Sequence, residues 1–312
     1  MSVPSSGALE TSLQPDQTEG GGPPIDETRI ASRWSVVFAR FRRKRVAMFG
    51  LVVVVLLFLL AFIGPYLTSW EYTDHDFNAF LQGPSTSHYF GTTQTGGDVF
   101  ALTMRGMQKS LIIGILVALF STGMAALVGA FAGYFGGWVD RSLMWFVDLL
   151  LVLPSFLIIA ILSPTFKGKT WLVFVVLLAA FLWMVTARIV RGMTISLANR
   201  EYVLAARFMG VPAPRIIFRH ILPNISSLLI VDATINVSAA IIGETSLSFF
   251  GFGVQPPDVS LGTLIADGTG SATTYAWLFA FPAGLLVLIV LAVNLVGDAL
   301  RDALDPTSGR TG

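Results

Sequence analysis

The chain has no cysteine among its 312 residues, which excludes disulfides, thiolate metal sites and catalytic thiols together. Charge is scarce as well: Asp, Glu, Lys and Arg make up 12% of the chain and balance to +1, so bulk charge points to neither nucleic acid nor a strongly acidic partner. There are three histidines, His75, His88 and His220, far apart along the chain and on opposite sides of the membrane once the spans are placed. No His-Glu-x-x-His helix, Gly-x-Ser-x-Gly elbow or paired-carboxylate motif occurs, so metal and serine hydrolysis lack their usual residues. An intramembrane aspartyl enzyme needs two carboxylates at equal depth. The candidates are Asp148, Asp232 and Glu244, and of these Asp148 falls near the cytoplasmic end of one span and Glu244 near the outer end of another. Residues 163–170, SPTFKGKT, end like a phosphate-binding loop, but the first glycine and the preceding strand are missing, and the stretch reads as a polar connector. No catalytic residue, metal ligand or cofactor site is expected.

What the chain has is apolar sequence: 54% of it is hydrophobic and the mean hydropathy is +0.72, values that belong to multi-spanning membrane proteins. About 20 apolar residues cross a hydrocarbon core of about 30 Å, and six segments meet that length, roughly 46–68, 110–133, 142–162, 170–190, 223–245 and 275–297. Sixteen of the twenty Lys and Arg fall on one side of this arrangement and four, Arg105, Lys109, Lys167 and Lys169, on the other. The Lys/Arg-rich side is cytoplasmic, which places both termini there. Residues 1–28 are rich in Ser, Gly, Pro, Gln and Thr, the composition of a disordered tail. Residues 29–45 pair an apolar stripe (Trp34, Val37, Phe38, Phe41) with arginines around the other faces, as in an amphipathic helix lying on lipid. Residues 46–305 form the six-span domain, and 306–312 a short tail.

Two features do not fit plain spans. Asp232 lies nine residues past Pro223, about 14 Å into the bilayer at about 1.5 Å per residue. A carboxylate at that depth faces the bundle interior or a water-filled path. It is read either as a structural hydrogen bond with Asn236, one turn on, or as part of a cavity that meets substrate. The second feature is the basic, half-apolar stretch EYVLAARFMGVPAPRIIFRHILPN, residues 201–224, in the loop 191–222. Glu201 opens a helix in which Ala205, Ala206 and Gly210 leave one face nearly bare. Gly210 suits the positive φ that ends a helix, Pro212 or Pro214 starts a second one, and Pro223 marks the entry to span five. The result is a helix-turn-helix at the cytoplasmic surface, covered by a partner or by lipid.

That stretch resembles the E-A-A, three residues, G, nine residues, I-x-L-P signature of permease subunits of ATP-binding-cassette importers. Glu201, Ala205, Ala206, Gly210 and Pro223 match its positions; His220 takes the isoleucine position, in the R-H-I-L-P-N form of the peptide branch. HYFGTTQTGGDVF, GYFGGWVDRSLMWFVDLLLVLPS, GETSLSFFGFGVQPPDVSLGTLIADG and NLVGDALRDALDP are similar to further segments of C-type permeases of dipeptide, oligopeptide and nickel importers. Thr93 and Gly97 stand where that pattern has Asp and Arg. The resemblance implies an all-α, six-span permease of the type I importer (MetI-like) fold, non-catalytic, whose 201–223 stretch docks on an ATPase. It also implies a B-type permease partner, two ATPase domains that bind the ATP and Mg, and an extracytoplasmic binding lipoprotein. Asp232, Asn236 and Glu244 are the candidates for the translocation pathway. A secondary transporter is disfavoured because no inverted pair of broken helices is evident.

Overall fold

The computed structural model describes residues 33–166 and 171–304. The expected tails, residues 29–32 of the amphipathic segment, and Lys167, Lys169 and Thr170 of the connector lie outside them. Among the described residues the chain is helical, with two isolated β-bridges, His75 to Gly97 and Thr92 to Asp98, in the loop before the second span.

Among the described residues four stretches are long and apolar enough to cross a membrane unbroken: Arg45–Leu67, Val99–Phe135, Ala213–Phe249 and Trp277–Leu304. In the helix labels used below, α2 is Arg45–Ile63, α3 is Val99–Phe135 and α12 is Trp277–Leu304. The other two expected spans are not straight. Residues 142–162 fall on α4 (Gly137–Val152) and α5 (Ser155–Leu162), which meet at a 78° bend, and 170–190 on α6 (Leu172–Leu182) and α7 (Met184–Ala198), which meet at 48°. The first break follows from Pro154, which lacks an N–H and pushes Leu153 to extended geometry, ψ 131°. At the second, the indole N–H of Trp183 donates to the Ala180 carbonyl at 2.9 Å, the acceptor that residue 184 would use in a continuous helix. Both segments were expected as single spans; the second bend gives no sign in the sequence, because a buried tryptophan reaching back to its own helix leaves no Gly or Pro mark.

The central element is α3, which packs on α7, on α10 (Leu222–Phe249) and on α2. Glycines allow this closeness. A Cβ on Gly129 would stand 2.4 Å from the Ala187 carbonyl oxygen, one on Gly133 2.6 Å from that of Arg191, and one on Gly114 2.7 Å from the Ile241 side chain. Lipid supplies no hydrophobic drive between helices, so backbone approach through small residues does the packing. Gly129→Leu should therefore lower the thermal stability of the detergent-purified protein by about 1–3 kcal/mol, as overpacking does. Gly123→Leu, on the same helix with nothing within 4 Å of its Cβ, should leave the melting point unchanged.

The amphipathic helix, α1 (Arg33–Arg43), divides its apolar face. Phe41 is buried against Ala299 and Ala303 of α12, while Phe38 is exposed. Lys44 pairs with Asp302 at 2.6 Å, fastening the chain's entry to the end of the last span. On the opposite side, His88 is buried between Asp98 (2.9 Å) and Asp76 (3.5 Å) and stacks on Trp70. Asp98 also caps α3 by accepting the Ala101 N–H. Thr93, one of the two departures, accepts the N–H of the other, Gly97, at 2.9 Å.

Candidate functional site

The 201–224 stretch forms an elbow. Its first limb is α8 (Glu201–Phe208), with Glu201 in the first turn where a negative charge suits the helix N-terminus. Gly210 turns the chain at φ +77°, a left-handed conformation that glycine adopts without a Cβ penalty. The second limb starts with α9 (Ala213–Ile216), after Pro212 at the N-cap. A helix-turn-helix then span five was expected, with an entry at Pro223. Instead α9 runs through a π turn, Ile217–Ile221, directly into α10, and Ala213–Phe249 is one helical stretch. Pro223 supplies no N–H, and the wider turn just before it, in which the Leu222 N–H reaches the Ile217 carbonyl, fits that missing donor.

The elbow has its own core: Val203 and Ala206 of α8 pack with Ile216, Ile217, Ile221 and Ile225, against Ala130 of α3 and Val190 of α7. The single bare face expected from Ala205, Ala206 and Gly210 is therefore divided. Ala206 is 3% exposed and faces inward, whereas Ala205 and Gly210 are exposed. Adjacent residues on an α-helix are about 100° apart, so both alanines cannot centre one face. The outward stripe is Glu201, Ala205 and Phe208, at i, i+4 and i+7. Phe208 and Met209 stand 87% and 77% exposed at its end. Met209 was missed in the sequence; its signal was an apolar residue between an exposed helix end and a left-handed glycine. His220 sits inside the joint, its ring 6.4 Å from that of Tyr202. Asn224 bridges the two limbs, donating to the Tyr202 hydroxyl at 3.1 Å and to the His220 carbonyl at 2.7 Å.

Farther along α10, the Asp232 carboxylate collects three donors from three helices: the hydroxyls of Thr122 on α3 (2.8 Å) and Thr186 on α7 (2.5 Å), and the Asn236 amide (3.0 Å). The hydrogen bond to Asn236 is the one expected from the sequence. The two threonines come from other spans and carry no sequence signal. Glu244 exposes no surface and accepts the hydroxyls of Ser110 (3.0 Å) and Ser248 (2.6 Å). Asp148 pairs with Arg188, and Asp140 with Arg191 through two bonds, beside a cavity of about 730 Å³ between α4 and α7. The carboxylates of Asp148, Asp232 and Glu244 thus belong to three separate networks, and among the described residues nothing resembling an aspartyl dyad is assembled.

Comparison with known proteins identifies the family. The family described as binding-protein-dependent transport system inner membrane component matches residues 125–309, and the N-terminal TM domain of oligopeptide transport permease C matches residues 32–84. An oligopeptide transport system permease protein OppC of Mycobacterium tuberculosis is 58% identical over 282 residues, covering 90% of this chain and 97% of that protein. The OppC of Bacillus subtilis is 35% identical, with 94% and 96% covered. A dipeptide transport system permease protein DppC of Alkalihalophilus pseudofirmus is 35% identical, with 91% and 93% covered. A helical bundle of long and broken spans, an elbow continuous with one of them, and matches along nearly the whole chain converge: this protein belongs to the family of binding-protein-dependent transport system inner membrane components, the permease subunits of ATP-binding-cassette importers.

Proposed function

We propose that the chain is one half of the membrane pathway of an ATP-driven importer of di- or oligopeptides, paired with a second, B-type permease. Two cytoplasmic ATPase domains bind the ATP and its Mg and seat on the elbow through the Glu201, Ala205, Phe208 stripe and Gly210; an extracytoplasmic lipoprotein delivers the peptide. Both termini are cytoplasmic, in keeping with the Lys and Arg distribution. The observation that carries the mechanism is the unbroken stretch Ala213–Phe249. Movement of the elbow by the closing ATPase pair enters α10 without an intervening loop, and biases a two-state bundle toward its outward-open form; hydrolysis reverses the bias. His220 and Pro223 lie within this joint and keep its two limbs together. Asp232 and Asn236, at mid-depth on the same helix, hold α10 to α3 and α7 and stand beside the path the peptide takes. The peptide assignment is supported by the relatives above, named for oligopeptide and dipeptide transport.

The test is uptake into proteoliposomes holding this chain with its partner permease and ATPases. A labelled tripeptide should accumulate only with ATP on the ATPase side and binding protein on the other, and collapsing the proton gradient should change nothing. Gradient-dependent uptake without ATP would overturn the reading, and accumulation of nickel instead of peptide would reassign the cargo.

A further inference from the structure

The outer end of the bundle holds a polar network centred on Glu244. Two chains of hydrogen bonds end on the Glu244 carboxyl. In one, the Leu261 N–H donates to the Ser110 hydroxyl oxygen at 3.3 Å, and Ser110 donates to Glu244 Oε2 at 3.0 Å. In the other, the Val254 N–H and the Ser260 hydroxyl both reach Ser248 Oγ, at 3.1 and 3.4 Å, and Ser248 donates to Glu244 Oε1 at 2.6 Å. Ser260 in turn caps α11 (Leu261–Thr269) through a reciprocal pair of bonds with Thr263. Ser110, Ser248, Ser260 and Glu244 are all buried, with exposures of 0%, 3%, 0% and 0%. A single carboxyl therefore terminates the polar groups of α3, α10, the loop that follows it and the start of α11.

The backbones around it leave no slack. A Cβ on Gly106 of α3 would stand 2.9 Å from the Ser260 carbonyl carbon, one on Gly253 2.6 Å from Ser248 Cα, and one on Gly262 of α11 2.7 Å from Thr245 Cα. The neighbouring residue on α3 extends the fastening: Lys109, 6% exposed, pairs with Asp258 at 2.8 Å and lies over the Trp171 ring at 4.6 Å. Ser163, at the end of the bent span that includes α5, donates to the Phe252 carbonyl at 2.5 Å.

We infer that Glu244 is the positioning residue of an outer clasp that makes α3, α10 and α11 a single rigid body throughout the transport cycle. The clasp rests on the importer reading and completes it: the elbow drives one end of α10, and at the other end α11 follows, because its N-terminus is tied to the same helix through Glu244. Without Glu244, Ser110 and Ser248 become buried hydroxyls that have lost their shared acceptor, and the strain is relieved by letting α11 and its loop move apart from α10.

The absence of native cysteine allows a direct test in the assembled complex. Spin labels on Leu119→Cys and Thr269→Cys, both exposed on α3 and α11, should report one narrow distance that is the same in nucleotide-free and ATP-trapped complexes. Glu244→Ala should broaden that distance, keep ATPase assembly and ATP hydrolysis, and lower the maximal uptake rate by about tenfold with the half-saturating peptide concentration unchanged, as the loss of a buried acceptor predicts. Glu244→Gln, which still accepts one serine, should recover part of the rate. Should Glu244→Ala fail to assemble, Ser110→Ala removes one arm only and should give the same changes at smaller size. A label distance that shifts by several ångströms between nucleotide states in the otherwise unmodified chain overturns the clasp, as does Glu244→Ala, or in its place Ser110→Ala, with normal uptake and a narrow distance. Loss of ATP dependence in the unmodified complex would instead strike the importer reading itself.

Discussion

Changing Phe208 and Met209 together to aspartate should strip the ATPase subunits from the purified complex and abolish ATP-dependent uptake, while the permease stays inserted in normal amounts. Both side chains are almost fully exposed in the isolated chain, at the end of the outward stripe of α8. Neither contributes to the elbow's own core of Val203, Ala206 and the four isoleucines, so the substitutions spare folding. Covering a large apolar side chain contributes about 1.5–3 kcal/mol, and two of them about 3–6 kcal/mol, roughly 10² to 10⁴ in affinity. Pressing carboxylates into the same contact costs more again. Co-purification of the ATPases at wild-type ratio would show that this face lies on lipid instead. Ala206→Trp makes the informative contrast. It overfills the space between α8 and the π turn, so it should lower the stability of the elbow itself before docking is ever tested.

The second large effect is expected at mid-membrane. Asp232→Leu should lower the stability of the detergent-purified complex by about 2–5 kcal/mol, because Thr122, Thr186 and Asn236 lose their common acceptor at once. Interhelical hydrogen bonds in membranes average about 0.6 kcal/mol when one pair is removed, but here three donors from three spans lose their acceptor in one step. Asp232→Asn keeps an acceptor oxygen and should retain most of the stability. The Asn variant then isolates the other role: normal melting with altered peptide preference places Asp232 on the path, and normal melting with normal transport makes it structural alone. Thermal unfolding and competition between peptides of different charge are the two measurements.

The sequence carried the membrane class and the positions of the long spans because hydrophobic length is a local property. It also carried the elbow, whose Gly210 and flanking prolines are local conformational signals, borne on the chain as φ +77° and an N-cap at Pro212. It did not carry the bend at Trp183, made by a side chain turning back on its own carbonyl. It misjudged Ala206 because small size was read without asking where each position points, and the helix turns about 100° per residue. The partners of Asp232 and Glu244 were out of reach for a different reason. Thr122, Thr186 and Ser110 lie between 46 and 134 residues from the acids they serve, and a hydroxyl in an apolar run looks the same whether it is paired or not.

Composition alone thus determined that this is a multi-spanning membrane protein without thiol chemistry, and the Glu201–Pro223 pattern determined the kind of importer subunit it resembles. Only the tertiary structure decided that the elbow's second limb and α10 are one continuous helix, that its two alanines serve different faces, and that Asp232 and Glu244 each close a network drawn from several helices. The physical reason is that burial depends on which helices come together from distant parts of the chain, and this sets both which face of α8 is covered and which partner a costly buried carboxylate can reach.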